Sequence, residues 1–100
     1  ITDYDKAIEI NPQLFIAYLN RGLAKYKLKD YLGAVADYDK AIIINSEFAL
    51  AYNNRGVVRY LKIGDDESAC TDFKKSASLG NEFRVNWLNS EEGKWCRNMR

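Results

Sequence analysis

The sequence predicts an all-α fold built from helix pairs stacked one after another. Three observations predict it. The stretch YLNRG at residues 18–22 returns as YNNRG at 52–56, thirty-four residues later. Apolar residues in the recurring segments fall at helical spacing, as with Ala34, Tyr38, Ala41 and Ile42, which share one stripe of a helix. No long stretch alternates apolar and polar side chains, so strands are not expected.

Laying residues 17–46 on 51–81 defines the repeating unit. Ala17/Ala51, Tyr18/Tyr52, Asn20/Asn54, Arg21/Arg55, Gly22/Gly56 and Tyr26/Tyr60 match at an offset of thirty-four. Ala34/Ala69, Asp37/Asp72, Tyr38/Phe73 and Lys40/Lys75 match at thirty-five. One extra residue therefore lies between Tyr60 and Ala69, and it is expected in a loop around KIGDDE, where insertions are tolerated. Each unit is thus two helices joined by a turn.

The elements follow in order. ITDYDKAIEINP at 1–12 repeats VADYDKAIIINS at 35–46, so residues 1–10 form the second helix of a preceding unit, ending before Asn11–Pro12. One full unit spans 15–46, closed by Asn45–Ser46, and another spans 49–80, closed by Gly80–Asn81. NWLNSEEGKW at 86–95 repeats AYNNRGVVRY at 51–60, and Trp87 and Trp95 keep the eight-residue aromatic spacing. A further first-type helix is expected over 84–98, completing one domain over 1–100.

The bulk numbers agree with a small globular chain. One hundred residues bury only about 60–65% of their unfolded surface. Forty-seven per cent apolar content and a single proline, Pro12, argue against disorder. Fifteen basic against fourteen acidic residues leave no electrostatic footprint for nucleic acid or an anionic membrane. No apolar run approaches the roughly 18–20 residues of a membrane span. The chain starts at Ile1 rather than methionine, as expected of a fragment or a processed chain, and the cytoplasm is the default compartment.

Histidine is absent, which removes histidine-based acid/base catalysis, His–Cys nucleophiles and ordinary zinc sites. Cys70 and Cys96 are expected to be free, partly buried small hydrophobes. The alternative is a disulfide tying down the last helix, which would imply an oxidising compartment. Asp65, Asp66 and Glu67 could attract a cation, but three acids in a turn are expected to be a solvated helix cap. With no glycine-rich phosphate loop and no nucleophile beside a base, no catalysis, cofactor or metal is expected.

The recurring residues resemble the tetratricopeptide (TPR) family. Its pattern runs aromatic, leucine–glycine, aromatic, alanine, aromatic, alanine and a closing proline over thirty-four residues. Here it reads Tyr18, Gly22, Tyr26, Ala34, Tyr38 and Ala41, then Tyr52, Gly56, Tyr60, Ala69 and Phe73. The departures are Arg21 and Arg55 for leucine, Ser46 and Asn81 for proline, and Ser76 for the second alanine. The resemblance implies a right-handed α-α solenoid of about two full repeats, flanked by a preceding second-type helix and a capping first-type helix. Gly22 and Ala34 are expected to face each other where the paired helices cross closely. Glu91 stands where Gly22 and Gly56 stood, in a helix with no second helix to meet.

The arginines obey the same rule. Each complete unit has an arginine before its glycine and an aspartate before its second aromatic, Arg21 with Asp37 and Arg55 with Asp72. The final first-type helix carries Ser90 instead. Structural ion pairs across the two helices of each unit are therefore expected, the alternative being that each arginine snorkels to solvent with its methylenes over apolar surface.

The resemblance also implies a protein-interaction scaffold whose concave groove is lined by first-type helices. The expected groove residues are Leu19, Leu23, Tyr26, Asn53, Val57, Tyr60 and Trp95, with Ile16, Leu50, Val85, Leu88 and Glu92 beside them. Asn20, Asn54 and Asn89 form a ladder of amides, each offering a donor and an acceptor to the backbone of a bound peptide. A clamp for a chain-terminal carboxylate is not expected, because Leu19, Leu23, Val85 and Asn89 occupy the places of its other ligands. The second reading is head-to-tail self-assembly or partner docking through exposed apolar ends of the stack.

Overall fold

A computed structural model describes residues 2–99. Helix α1 (Thr2–Ile10) is followed by the pair α2 (Phe15–Lys27) and α3 (Tyr31–Ile44), and then by the pair α4 (Ala49–Val58) and α5 (Asp66–Ser78). Two short helices, α6 (Glu82–Leu88) and α7 (Lys94–Arg97), complete the chain. No strand occurs among the described residues. Helices pack mainly on their chain neighbours, and the molecule extends 43 × 25 × 19 Å, the elongated outline of stacked helix pairs.

The turns inside the two pairs use matching chemistry. Asp30 and Asp65 cap α3 and α5, their side chains accepting from Gly33 N (3.0 Å) and Ser68 N (3.2 Å). Each carboxylate thereby satisfies an amide at a helix start that has no partner within the helix. Before each cap stands one left-handed residue, Lys29 at φ 66° and Gly64 at φ 80°.

The inserted residue falls in the expected stretch after Tyr60 but in a helix end rather than in the loop. It is absorbed by the end of α4, which continues as a π-helical turn over Arg59–Ile63, and the amide of Gly64 bonds to the Arg59 carbonyl. Widening the last turn from i→i+4 to i→i+5 accommodates one more residue without breaking the helix. A loop insertion was not needed.

The glycines meet aromatic rings rather than alanine. A β-carbon at Gly22 would lie 2.6 Å from the Tyr38 ring, and one at Gly56 would lie 2.7 Å from the Phe73 ring. The buried Ala34, Ala41 and Ala69 keep the paired helices close, and Tyr18 and Tyr38 fill the core of the first pair. Ser76, the departure from alanine, is fully buried and satisfied. Its hydroxyl donates to the Ala49 carbonyl (2.9 Å) and accepts from Asn81 Nδ2 (2.9 Å).

The single helix expected over 84–98 is broken. α6 stops at Leu88, and the Ser90 hydroxyl donates to the Trp87 carbonyl while Arg97 donates to the Leu88 carbonyl (2.9 Å). Side-chain donors thus take over carbonyls that a continuing helix would have bonded. Gly93 lies so close to the Trp87 carbonyl that a β-carbon would collide with it. The turn brings α7 back onto α5, where Cys96 and Cys70 form a disulfide, so the expectation of free thiols is overturned. Position 96 reaches α5 because the helix reverses, a step invisible in residue spacing.

Candidate functional site

Five arginine–aspartate pairs run along the stack, four of them made by Arg21 and Arg55. Arg21 in α2 donates through Nε and Nη2 to the two Asp37 carboxylate oxygens of α3 (2.9 and 2.7 Å). Its Nη1 reaches back to Asp5 in α1 (2.9 Å). Arg55 repeats this one unit later, with Asp72 (3.0 and 2.7 Å) and Asp39 (2.8 Å). Bidentate geometry of this kind is what the planar guanidinium allows and a lysine does not. Lys25 adds a contact to Asp37 (3.1 Å), and Arg59 adds one to Asp72 (2.9 Å).

Each arginine therefore joins its own unit's second helix to the second helix of the unit before. Both pKa values are raised. For Arg21 the Asp37 hydrogen bond is the main cause, and for Arg55 burial opposes the rise but Asp72 and Asp39 outweigh it. Each guanidinium also lies 5.5 Å from the ring of the tyrosine three residues earlier, Tyr18 or Tyr52. Asp5 and Asp39 were missed by sequence reasoning, although their signal was present in the repeated DYDK at 3–6 and 37–40. α5 has Lys74 at that place, and the next first-type position holds Ser90, so both members of the next rung are replaced together.

Two clefts open beside α4. The first, about 70 Å³, is lined by Leu23, Tyr26, Tyr38, Asn54, Val57 and Val58. The second, about 190 Å³, is lined by Val57, Tyr60, Leu61, Phe73, Arg84 and Trp87. Val57 belongs to both. Their walls are apolar or aromatic, broken by Asn54 in one and Arg84 in the other.

The expected groove residues divide accordingly. Leu23, Tyr26, Asn54, Val57 and Tyr60 line the clefts. Leu19 is core, packed with Tyr18 and Ala34. Trp95 stacks on Tyr60 with ring centres 4.9 Å apart, and Asn53 accepts from Arg84 Nε. Ile16, Leu50 and Val85 are exposed, Leu88 is packed beneath α7, and Glu92 lies exposed in the turn after α6.

Asn20 is half-buried in α2 and lines neither cleft, while Asn89 is exposed at the C-terminal cap of α6. The ladder is not one face. Arg84, absent from the expected set, is the polar group of the larger cleft, and no copy of it occurs in the other units to draw attention to it.

The ends of the stack differ. α1 has no buried residue, and Ile10 is 84% exposed. At the other end Trp87, Leu88, Trp95 and Met99 pack around Cys70, Phe73 and Cys96. The apolar face expected there is largely covered by the chain itself.

A family model for the TPR repeat matches residues 1–29 and 24–62. The chain belongs to the TPR family. No curated protein matches it. TPR repeats generally mediate contacts between proteins and typically act as scaffolds rather than enzymes. The matched residues of this TPR chain include Arg21, Arg55 and every residue lining the smaller cleft, whereas Phe73, Arg84 and Trp87 of the larger cleft lie outside the match. No helix of the described residues is long and apolar enough to cross a membrane.

Proposed function

We propose that this TPR chain holds an extended peptide of a protein partner across α2, α4 and α6. The observation that carries the reading is the pair of apolar clefts joined at Val57. Two adjoining pockets suit alternate side chains of an extended segment, while Asn54 offers its amide to the peptide backbone. The ion-pair ladder holds the helices in register behind these clefts and takes no part in recognition. Aromatic and aliphatic walls supply the binding energy, since one amide hydrogen bond contributes only about 0.5–1.5 kcal/mol.

The disulfide favours an oxidising compartment over the cytoplasmic default. A random peptide library panned on the wild-type chain tests the groove. Asn54→Ala should weaken the selected peptides by about threefold to tenfold, consistent with one net hydrogen bond. Asn89→Ala should leave them unchanged. Equal binding by wild type and Asn54→Ala would move the site away from the cleft.

A further inference from the structure

Arg84 is 8% exposed, yet no carboxylate lies within ion-pair distance of it among the described residues. Arg21, Arg55 and Arg59 each have at least one such partner. A buried guanidinium normally has its charge matched and its donors bonded. Burial lowers the Arg84 pKa, with no neighbouring charge acting against it.

The surroundings restrict what could match it. The guanidinium carbon is 4.0 Å from the Phe73 ring centre, 4.9 Å from Trp87 and 5.2 Å from Phe83. All three rings lie within cation–π distance of the group. One in-plane donor, Nε, is taken by Asn53 Oδ1. Nη1 and Nη2 have no side-chain or backbone acceptor among the described residues, and no fully enclosed side-chain nitrogen or oxygen is left without a partner. The Nη groups therefore reach accessible surface, and the 190 Å³ cleft is the space that Arg84 lines.

We propose that Arg84 is a specificity-determining residue that receives the side-chain carboxylate of an aspartate or glutamate in the bound peptide. The inference rests on the groove reading above. A planar carboxylate accepts two parallel N–H bonds along one guanidinium edge, which is the part the rings and Asn53 leave available. The walls formed by Val57, Tyr60 and Leu61 are apolar, so the residue beside the acid is aliphatic or aromatic. A single arginine balances one carboxylate; a phosphorylated residue would bring nearly two charges into the same apolar cleft. The partner is an acidic, apolar segment.

Random dodecapeptides fused at their C-termini to a phage coat protein provide the probe. They carry no free chain-terminal carboxylate, so any acid selected is a side chain. Panning on the disulfide-intact wild-type chain should enrich Asp or Glu beside Leu, Ile or Phe. Replacing that acid by its amide in a synthetic peptide should weaken binding about tenfold to hundredfold, the range expected for a charged hydrogen bond. Arg84→Gln should cost the acidic peptide a similar factor and the amide peptide little. Arg84→Lys, which keeps charge but not the planar edge, should recover only part of the loss.

Circular dichroism melts identify any variant that fails to fold, and the acid-to-amide comparison on wild type needs no variant at all. Selection of peptides without acidic enrichment would overturn the role of Arg84 while leaving the groove intact. Selection of nothing would overturn both readings.

Discussion

Asp72 and Asp39 bind the same arginine from two different environments. Asp72 has its side chain 2% exposed and bonds both Arg55 and Arg59, whereas Asp39 is 44% exposed at the edge. Removing a buried partner strands charge, while an exposed pair is screened by water. Asp72→Ala is therefore expected to cost about 3–5 kcal/mol and Asp39→Ala less than about 1 kcal/mol. Urea denaturation of both variants at neutral pH measures the difference. Equal losses would contradict an asymmetry set by burial.

Tyr38 gives a pH-dependent counterpart. Burial, helped by the nearby Tyr26 and Asp37, pushes its hydroxyl up to about 12. In the unfolded chain the hydroxyl ionises near pH 10. The unfolded state therefore loses this proton first, so the contribution is intact below about pH 10 and is lost between about 10 and 12. Tyr38→Phe, which copies Phe73, should remove that part of the alkaline loss and leave neutral stability little changed. The comparison is the difference between wild-type and variant stability across that range. The paired arginines were readable in this sequence because both members recur. Arg84 was not, because it occurs once and its burial depends on rings from two helices.

At the level of elements, the two intra-pair turns differ in one left-handed residue. Lys29 occupies at φ 66° the role that Gly64 fills at φ 80°. A side chain in this conformation is disfavoured by contact with its own backbone, and glycine avoids that cost. Lys29→Gly should stabilise by about 0.5–1 kcal/mol, and Gly64→Ala should destabilise by about 1 kcal/mol. Thermal melts of the two single variants should shift in opposite directions; shifts in the same direction would reject backbone strain as the cause. The helix pairs and the extra residue were legible in the offset between copies and the Asp65 cap in its acidic turn, whereas the matching Asp30 cap was not read. The π-helical placement of the extra residue was not legible, since an insertion shows up as a count and does not reveal whether the helix end or the loop absorbs it.

Across the whole molecule, the C-terminal unit departs most from its copies. The turn after α6, the Cys70–Cys96 disulfide and the Tyr60–Trp95 stack together lay α7 over α5. Opening the disulfide enlarges the freedom of the unfolded chain and removes the covalent attachment of α7, leaving the Trp95 ring contacts and the Arg97 hydrogen bonds. Cys70→Ser with Cys96→Ser should cost about 2–4 kcal/mol. Tryptophan emission should shift to the red as Trp95 leaves Tyr60. Emission unchanged in the folded double variant would mean that aromatic packing alone seats α7.

The sequence by itself determined the all-α class, the two helix pairs, their thirty-four-residue step and the arginine–aspartate pairing within each unit. These follow from local periodicity and recurrence, which a linear chain records directly. Tertiary structure alone decided that Asp5 and Asp39 complete the ion-pair ladder, that α6 breaks and Cys96 meets Cys70, and that only Asn54 of three matching asparagines faces a cleft. It also decided that Arg84 is buried among aromatic rings. The physical reason is that orientation and burial are set by which surfaces meet. Copies of a residue can match in sequence while their neighbours do not.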